Sequence, residues 1–410
     1  MDKTIINSLL DTDFYKFTMG QLVFRLHPDV QVEYALTNRT SKVRLAEIVD
    51  IGELREHLDH ARTLRFTKTE LHYLRGTNEY GDRMFNEPYL DFLSRYQLPP
   101  YDLSIKDGQF DLRFGGLWAE SIYWETIALP IVDELYTRAM TNSMTRFEKK
   151  CLEAQGLLRL RDKIAKLRQF PDITFTDFGT RRRFSFDWHK KVVKILAEEM
   201  PLQFLGTSNT FLAMILALLP MGTNAHELAM VYAGMTNDDE DLRHSNKKVL
   251  DDWWKVYDWG LSIALTDTFG TRSFFENMSR SQAKNWKGLR QDSGDPSTFG
   301  EMAIKFYESC DVDPGEKLIV FSDGLDVDKI MGLADQFRRR IRFTFGWGTN
   351  LTNDLGTPTL SLVIKAVQAD GQGLVKLSDN LAKAIGNPAD VERYKRVFGY
   401  TSDFREECRY

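Results

Sequence analysis

The chain has 410 residues, 42% of them hydrophobic and 28% charged, the profile of a soluble globular protein long enough for two or three domains. Its 54 Lys and Arg against 59 Asp and Glu give a net charge of −5, which argues against a dedicated nucleic-acid binder, because phosphate contacts need a basic surplus. Three widely spaced cysteines (Cys151, Cys310 and Cys408) imply neither a disulfide framework nor a thiolate zinc site, and point to a reducing compartment.

The opening MDKTIINSLLDTDFYKF lacks the sustained apolar stretch of a secretory signal, and the most apolar run, 211–219, is half the length a bilayer crossing needs. A cytoplasmic protein with no membrane partner is expected. The periodicity predicts an amphipathic helix over 13–26, an alternating strand over 31–37, and helices over 53–64 and 67–74. A strand is predicted over 110–114, followed by a long helix over 119–140 that Pro130 should interrupt, since proline lacks an amide N–H. Charged helices fill 143–168.

From about residue 172, short apolar segments alternate with helical ones and end in polar, Gly-containing turns. These are ITFTDFGTR (173–181), QFLGTSN (203–209), SIALTDTFG (262–270), GLRQDSGDP (288–296), LIVFSDGLD (318–326) and RFTFGWGTN (342–350). MGTNAHE (221–227) forms a similar turn after a short segment. Repeated strand–turn–helix units imply a parallel sheet, and their number favours a barrel over an open doubly wound sheet. In a barrel, the functional side chains sit on the loops after the strands.

The turns carry chemistry of their own. Gly beside polar residues lets the backbone approach a phosphate, although Gly is equally the usual residue of a tight turn; FSDGLD and FGWGTN at successive strand ends form a possible phosphate platform, with Thr349 adding a hydroxyl. GLRQDSGDP gathers Arg290, Asp292 and Asp295 within six residues. The Arg suits a planar carboxylate or phosphate, and the carboxylates suit a developing cation or Mg²⁺; the plainer alternative is a surface Arg–Asp turn. His226 stands in a Gly- and Thr-bearing turn opening a helix, where a neutral imidazole can accept a phosphoryl group or a proton, or can simply make one structural hydrogen bond. No HxH or HxxxH spacing points to a His-rich metal site. The DFG at 177–179 invites comparison with kinases, but their other signatures are absent.

Taken in order, LLDTDFYKFTM, DFGTRRRFS, FLGTSN, MGTNAHE, ALTD, GLRQDSGDP, FSDGLD, FGWGTN and VKLSDN resemble the bacterial branch of the nicotinate phosphoribosyltransferase family over residues 9–380. The resemblance implies an α/β fold: an irregular, incomplete α/β barrel (141–355) with an N-terminal α/β domain (1–140) and a C-terminal segment (356–410) packing back toward it. It implies joining of nicotinate to phosphoribosyl pyrophosphate, giving nicotinate mononucleotide and pyrophosphate in NAD salvage, with ATP hydrolysis and Mg²⁺. It also implies a homodimer in which each site is completed by the neighbouring subunit.

The same resemblance assigns roles. His226 would be phosphorylated by ATP, oriented by Asp267 or by the adjacent Glu227. Asp292 would support the oxocarbenium-like centre, with Asp295 or Asp323 serving Mg²⁺ or the ribose hydroxyls. Tyr15 would stack on the pyridine ring from across the dimer interface, opposite Phe178. Arg290 and Thr223 would contact nicotinate, and Arg181, Gly324, Gly348 and Thr349 would hold phosphates. The amide-using relatives carry an Asp after the GT of FLGTSN, where this chain has Ser208, which favours the acid over nicotinamide as substrate. A barrel glycoside hydrolase using Asp292 and Asp323 leaves the Gly-Thr turns and His226 unexplained.

Overall fold

The computed structural model describes residues 4–79, 81–402 and 404–406; Cys408 and the first three residues of the opening segment lie outside this range. Two sheets carry the architecture. In the first third are β1 (Gln31–Asn38), β2 (Tyr101–Lys106) and β3 (Gln109–Leu117). Then come β4 (Phe175–Asp177), β5 (Phe204–Thr207), β6 (Ile263–Leu265), β7 (Gly288–Gln291), β8 (Leu318–Phe321) and β9 (Arg342–Trp347), followed by β10 (Leu362–Ala369) and β11 (Gln372–Gly373).

The first sheet is parallel, in the order β5-β4-β9-β8-β7-β6. Its central strands are apolar because both faces are covered, as parallel sheets require. Phe321 of β8, for example, stacks on Phe345 of β9 and on Phe337 of the flanking helix Val327–Phe337. Beyond β5 the sheet continues only as a single parallel bridge from Thr207 to Pro220. MGTNAHE therefore follows a bridge rather than a strand, and among the described residues no strand closes the ring between Pro220 and β6. This is an incomplete barrel.

The second sheet is antiparallel, in the order β11-β10-β1-β3-β2. β10 pairs with β1 in a register that sets Leu36 opposite Ile364, so the C-terminal part of the chain returns to the N-terminal part. Beside it lies the helix Trp124–Thr141, buried on every side from Trp124 to Thr137, with Glu125, Asp133 and Glu134 buried among its apolar residues. Pro130 sits inside this helix and does not end it. The predicted interruption falls instead at Ile122 and Tyr123, between helices Trp118–Ser121 and Trp124–Thr141. Burial on all sides outweighs the one backbone hydrogen bond that proline removes. The charged stretch after it is one helix, Arg146–Leu167, started by a capping box between Thr145 and Glu148.

A strap of N-terminal residues crosses the barrel. Phe211 N–H donates to the Leu10 carbonyl (2.8 Å), Thr210 N–H to that of Thr12 (2.9 Å), and Phe14 N–H to that of Ser208 (2.7 Å). Arg183, wholly buried, grips Asp11 through both guanidinium arms, at 2.5 and 2.8 Å. The strap delivers the helix Tyr15–Leu26, and Tyr15 with it, to the C-terminal ends of the strands.

Candidate active site

The cleft at these strand ends is lined by Arg39, Arg181, Arg182, Arg290, Lys365, Lys376 and Lys383, with only Asp292 and Asp323 as carboxylates among its lining residues. So many cations around one cavity suit it to polyanions, despite the acidic chain that surrounds it. His226, Phe178, Gly324, Gly348 and Thr349 line it too. Gly324 holds φ +56°, a left-handed turn that suits glycine, and Gly348 precedes the short helix Thr349–Thr352.

A smaller cavity is formed by Asp13, Tyr15, Phe178, Arg181, Ser208, Met221, Gly222 and Arg290. Phe178, Arg181 and Arg290 belong to both spaces. Tyr15, expected to reach a neighbouring subunit's site, lines this cavity together with Phe178 of its own chain. The strap is the physical reason, since it pins Asp13 and Phe14 against Ser208 and Asn209. The Arg181 guanidinium lies 5.8 Å from the Tyr15 ring centre and that of Arg290 5.4 Å from the Phe178 ring, so a cation attends each aromatic face.

The DFG turn acquires a structural role. Asp177 accepts from Gly179 N–H (2.8 Å) and Thr207 Oγ1 (2.6 Å), and lies 2.6 Å from His189 Nε2. These bonds lock the turn that presents Phe178 and Arg181.

His226 is the first residue of the helix His226–Gly234 and is buried. Its Nε2 lies 2.9 Å from Asp292 Oδ2 and 3.7 Å from Asp267 Oδ1, and its Nδ1 lies 3.0 Å from Thr268 Oγ1. Burial pulls the imidazole down to about 4, against the opposing pull of Asp267, so the ring is neutral near pH 7. With an ionised carboxylate accepting from Nε2–H, the lone pair falls on Nδ1, where Thr268 donates.

Asp292 Oδ1 accepts from Arg290 Nη2 and from Ser322 Oγ, both at 2.9 Å. Burial works against its charge, but Arg290 and the His226 contact overcome this and hold the carboxyl well below the usual range. Arg290 also donates to Ser322 Oγ (2.9 Å) and the Asn224 carbonyl (3.2 Å). Asp323 pairs with Lys383, and burial raises its carboxyl despite that partner. Burial also lowers Lys376, to about 8.

Other expected residues are placed differently. Glu227 turns away from His226 into the core, where it accepts from Lys16 Nζ (2.5 Å), Tyr34 Oη (2.6 Å) and Trp118 Nε1 (2.7 Å). Asp267 is the residue near the imidazole; its Oδ2 accepts from Ser293 Oγ, while its buried Oδ1 has no hydrogen-bond partner among the described residues. Asp295 Oδ1 caps the helix Pro296–Ser309 by accepting from Thr298 N–H and Oγ1, each at 2.7 Å, and lies outside the His226 cleft. The Thr223 carbonyl accepts from Thr18 Oγ1 (2.5 Å), and the cavity beside it is lined by Met221 and Gly222 instead.

Sequence reading misses Arg39, Lys365 and Lys383. The available signal for Lys365 is a single cation in the middle of the apolar strand LVIKAVQA.

The family model "Nicotinate phosphoribosyltransferase (NAPRTase) family" matches residues 173–402, and that of the family's N-terminal domain matches residues 10–133. The chain is similar to the crystal structure of nicotinate phosphoribosyltransferase from Porphyromonas gingivalis, with 32% identity over 96% of this chain and 100% of the other, at a TM-score of 0.86. It is also similar to that from Vibrio cholerae, with 32% identity over 98% and 96% of the two chains and a TM-score of 0.86.

Proposed function

The chain belongs to the nicotinate phosphoribosyltransferase family, and from that premise we propose that it makes nicotinate mononucleotide from nicotinate and phosphoribosyl pyrophosphate, coupled to ATP hydrolysis, in cytoplasmic NAD salvage. The observation that carries this reading is the pair of joined cavities. One is walled by Tyr15, Phe178, Ser208 and Arg290, two aromatic rings and a guanidinium that suit the chemistry of an aromatic acid; the other is rich in cations beside His226 and Asp292.

The pyridine ring lies between Tyr15 and Phe178, with Arg290 toward its carboxylate. Its nitrogen is already nucleophilic, so no strong base is needed and the site's contribution is positioning. The new bond joins that nitrogen to the anomeric carbon as the bond to pyrophosphate breaks. Asp292, held ionised, supports the positive charge that develops there.

ATP gives its γ-phosphoryl group to the neutral His226 imidazole, forming an N–P bond as ADP leaves, and water later breaks that bond. Phosphorylation adds roughly two negative charges. The open lone pair is on Nδ1, so the phosphoryl group is carried on the Thr268 side while Nε2–H keeps its 2.9 Å contact with Asp292. That sets the added charge one ring away from the carboxylate that supports the ribosyl centre. This links ATP use to transfer.

Asp292 and Asp323 are hard oxygen donors, and Mg²⁺ is commonly held by one or two carboxylates plus substrate phosphates, so the cleft fits the ion. When bound, Mg²⁺ neutralises charge on the departing pyrophosphate. Among the described residues there is no cluster of three or more His, Cys, Asp or Glu to hold a metal without substrate. Asp295 is engaged as a helix cap. The family likeness also implies a homodimer in which the neighbouring subunit completes each site, alongside the Tyr15 that lines the smaller cavity from the same chain.

The test offers purified protein nicotinate, nicotinamide or quinolinate with phosphoribosyl pyrophosphate and Mg²⁺, with and without ATP. Product from nicotinate alone, increased by ATP, is expected. Equal use of nicotinamide would overturn the assignment of the acid as substrate.

A further inference from the structure

Behind the cleft lies a buried ionic cluster centred on Glu125, a residue that none of the motifs contains. Glu125, on the helix Trp124–Thr141, is 1% exposed. Its Oε2 lies 2.7 Å from Lys16 Nζ and accepts from Tyr15 Oη at 3.4 Å. Its Oε1 lies 2.7 Å from Lys365 Nζ and 3.6 Å from Arg181 Nη1. Lys16 bridges onward to Glu227 at 2.5 Å, and Arg181 Nε lies 3.1 Å from Asp13. Lys16, Lys365 and Arg181 thus balance Glu125, Glu227 and Asp13.

Three of Glu125's four partners line the ligand cavities: Tyr15 and Arg181 the smaller, Arg181 and Lys365 the larger. They come from three separate elements, namely the N-terminal helix, the turn after β4, and β10. Each carries a mobile polar end that a solvated site would leave free to wander. A single carboxylate that all three can reach fixes them relative to one another.

We infer that Glu125 is a positioning residue for nicotinate, acting through Tyr15, Arg181 and Lys365 without itself lining either cavity. The inference rests on the function proposed above. It implies that binding of the aromatic acid depends on a carboxylate on a helix that belongs to none of the strand-end motifs.

A buried carboxylate removed from its partners leaves an unpaired charge, so Glu125→Gln alone tests stability as well as position. Pairing it with Lys16→Met restores the net charge of the cluster, leaves Glu227 its Tyr34 and Trp118 donors, and does not alter the lining, because Lys16 lines neither cavity. The experiment measures KM for nicotinate, kcat and Tm in the full-length protein, for wild type, E125Q, E125D, the double variant E125Q/K16M, and D133N. Asp133 is a fair control: it is buried on the same helix, and burial pushes its carboxyl up to about 8, so it is already neutral and Asn is close to it in shape.

The expected result is a nicotinate KM raised about tenfold in E125Q and in the balanced double variant, with kcat falling less. E125D recovers part of the loss, and D133N stays within about twofold of wild type. If E125Q fails to fold, the double variant carries the test. A double variant with wild-type Tm and wild-type KM would reduce Glu125 to charge balance and overturn the inference, as would an E125Q that matches wild type. A wild type that does not turn over nicotinate would instead overturn the function beneath it, and the two failures are told apart.

Discussion

The parallel sheet brings Arg290, Asp292, Asp323 and the Gly348–Thr349 turn to the cleft from runs of a few residues each, whereas the antiparallel sheet brings Arg39 and Lys365 from opposite ends of the chain. In the function proposed above the first group holds the reacting atoms: His226, at the start of its helix, contacts Asp292, which contacts Arg290. The second group supplies charge, and it is held by buried partners such as Glu125 rather than by turns. Bond-making groups must be registered to a fraction of an ångström, which strand ends provide. A surrounding field tolerates looser placement and can be assembled from distant segments.

This division predicts that changes on the barrel side fall on turnover, and changes on the strap and antiparallel side fall on binding and stability. The largest effect is expected for His226→Ala. ATP hydrolysis should be lost while weak ATP-independent transfer remains; nicotinate-stimulated ATPase surviving in that variant would break the distinction. Next comes Arg183→Met, which strands the buried Asp11 carboxylate under the strap. A loss of about 3–5 kcal/mol in urea unfolding is expected, read as a fall in midpoint.

A smaller effect sharpens the comparison through pH. The His226 ring is held near 4 in the folded protein, against an ordinary 6.5. As pH falls below about 6.5 the unfolded chain takes a proton that the buried ring refuses, so His226 costs stability progressively until about 4. Unfolding of wild type and His226→Asn, compared at several pH values, should show the variant losing less stability across that window. Parallel curves would place the imidazole in a wetter setting. The smallest effect is expected for Asp295→Ala, about 1 kcal/mol for a lost helix cap, with kcat unchanged. A large fall in kcat would return Asp295 to the chemistry.

The legibility of the sequence follows the same division. The strand-end turns are contiguous, so their apolar run, Gly and polar residues are visible together, and the parallel strands fall where the periodicity places them. Misreadings arise where tertiary burial decides. Pro130 stays helical because its helix is buried all round, and MGTNAHE lacks a strand because only Pro220 bridges to the sheet. Glu227 sits beside His226 in sequence, yet successive helix residues point in different directions, and it goes to Lys16. Asp295 resembles a ligand in GLRQDSGDP but precedes a proline that starts a helix, a capping position. Glu125 has no local signature and Lys365 only that of a lone cation in an apolar strand, since their meaning comes from each other.

Tyr15 is where the regions meet, because the strap places it in the cavity of its own chain. Mixing Tyr15→Ala with Asp292→Asn protein tests this most directly, each variant being expected to lose most of its activity alone. If each chain builds its own nicotinate site, the mixture should show no more activity than the two variants measured separately. Activity regained on mixing would mean that Tyr15 of one chain serves Asp292 of another, and would contradict the single-chain site.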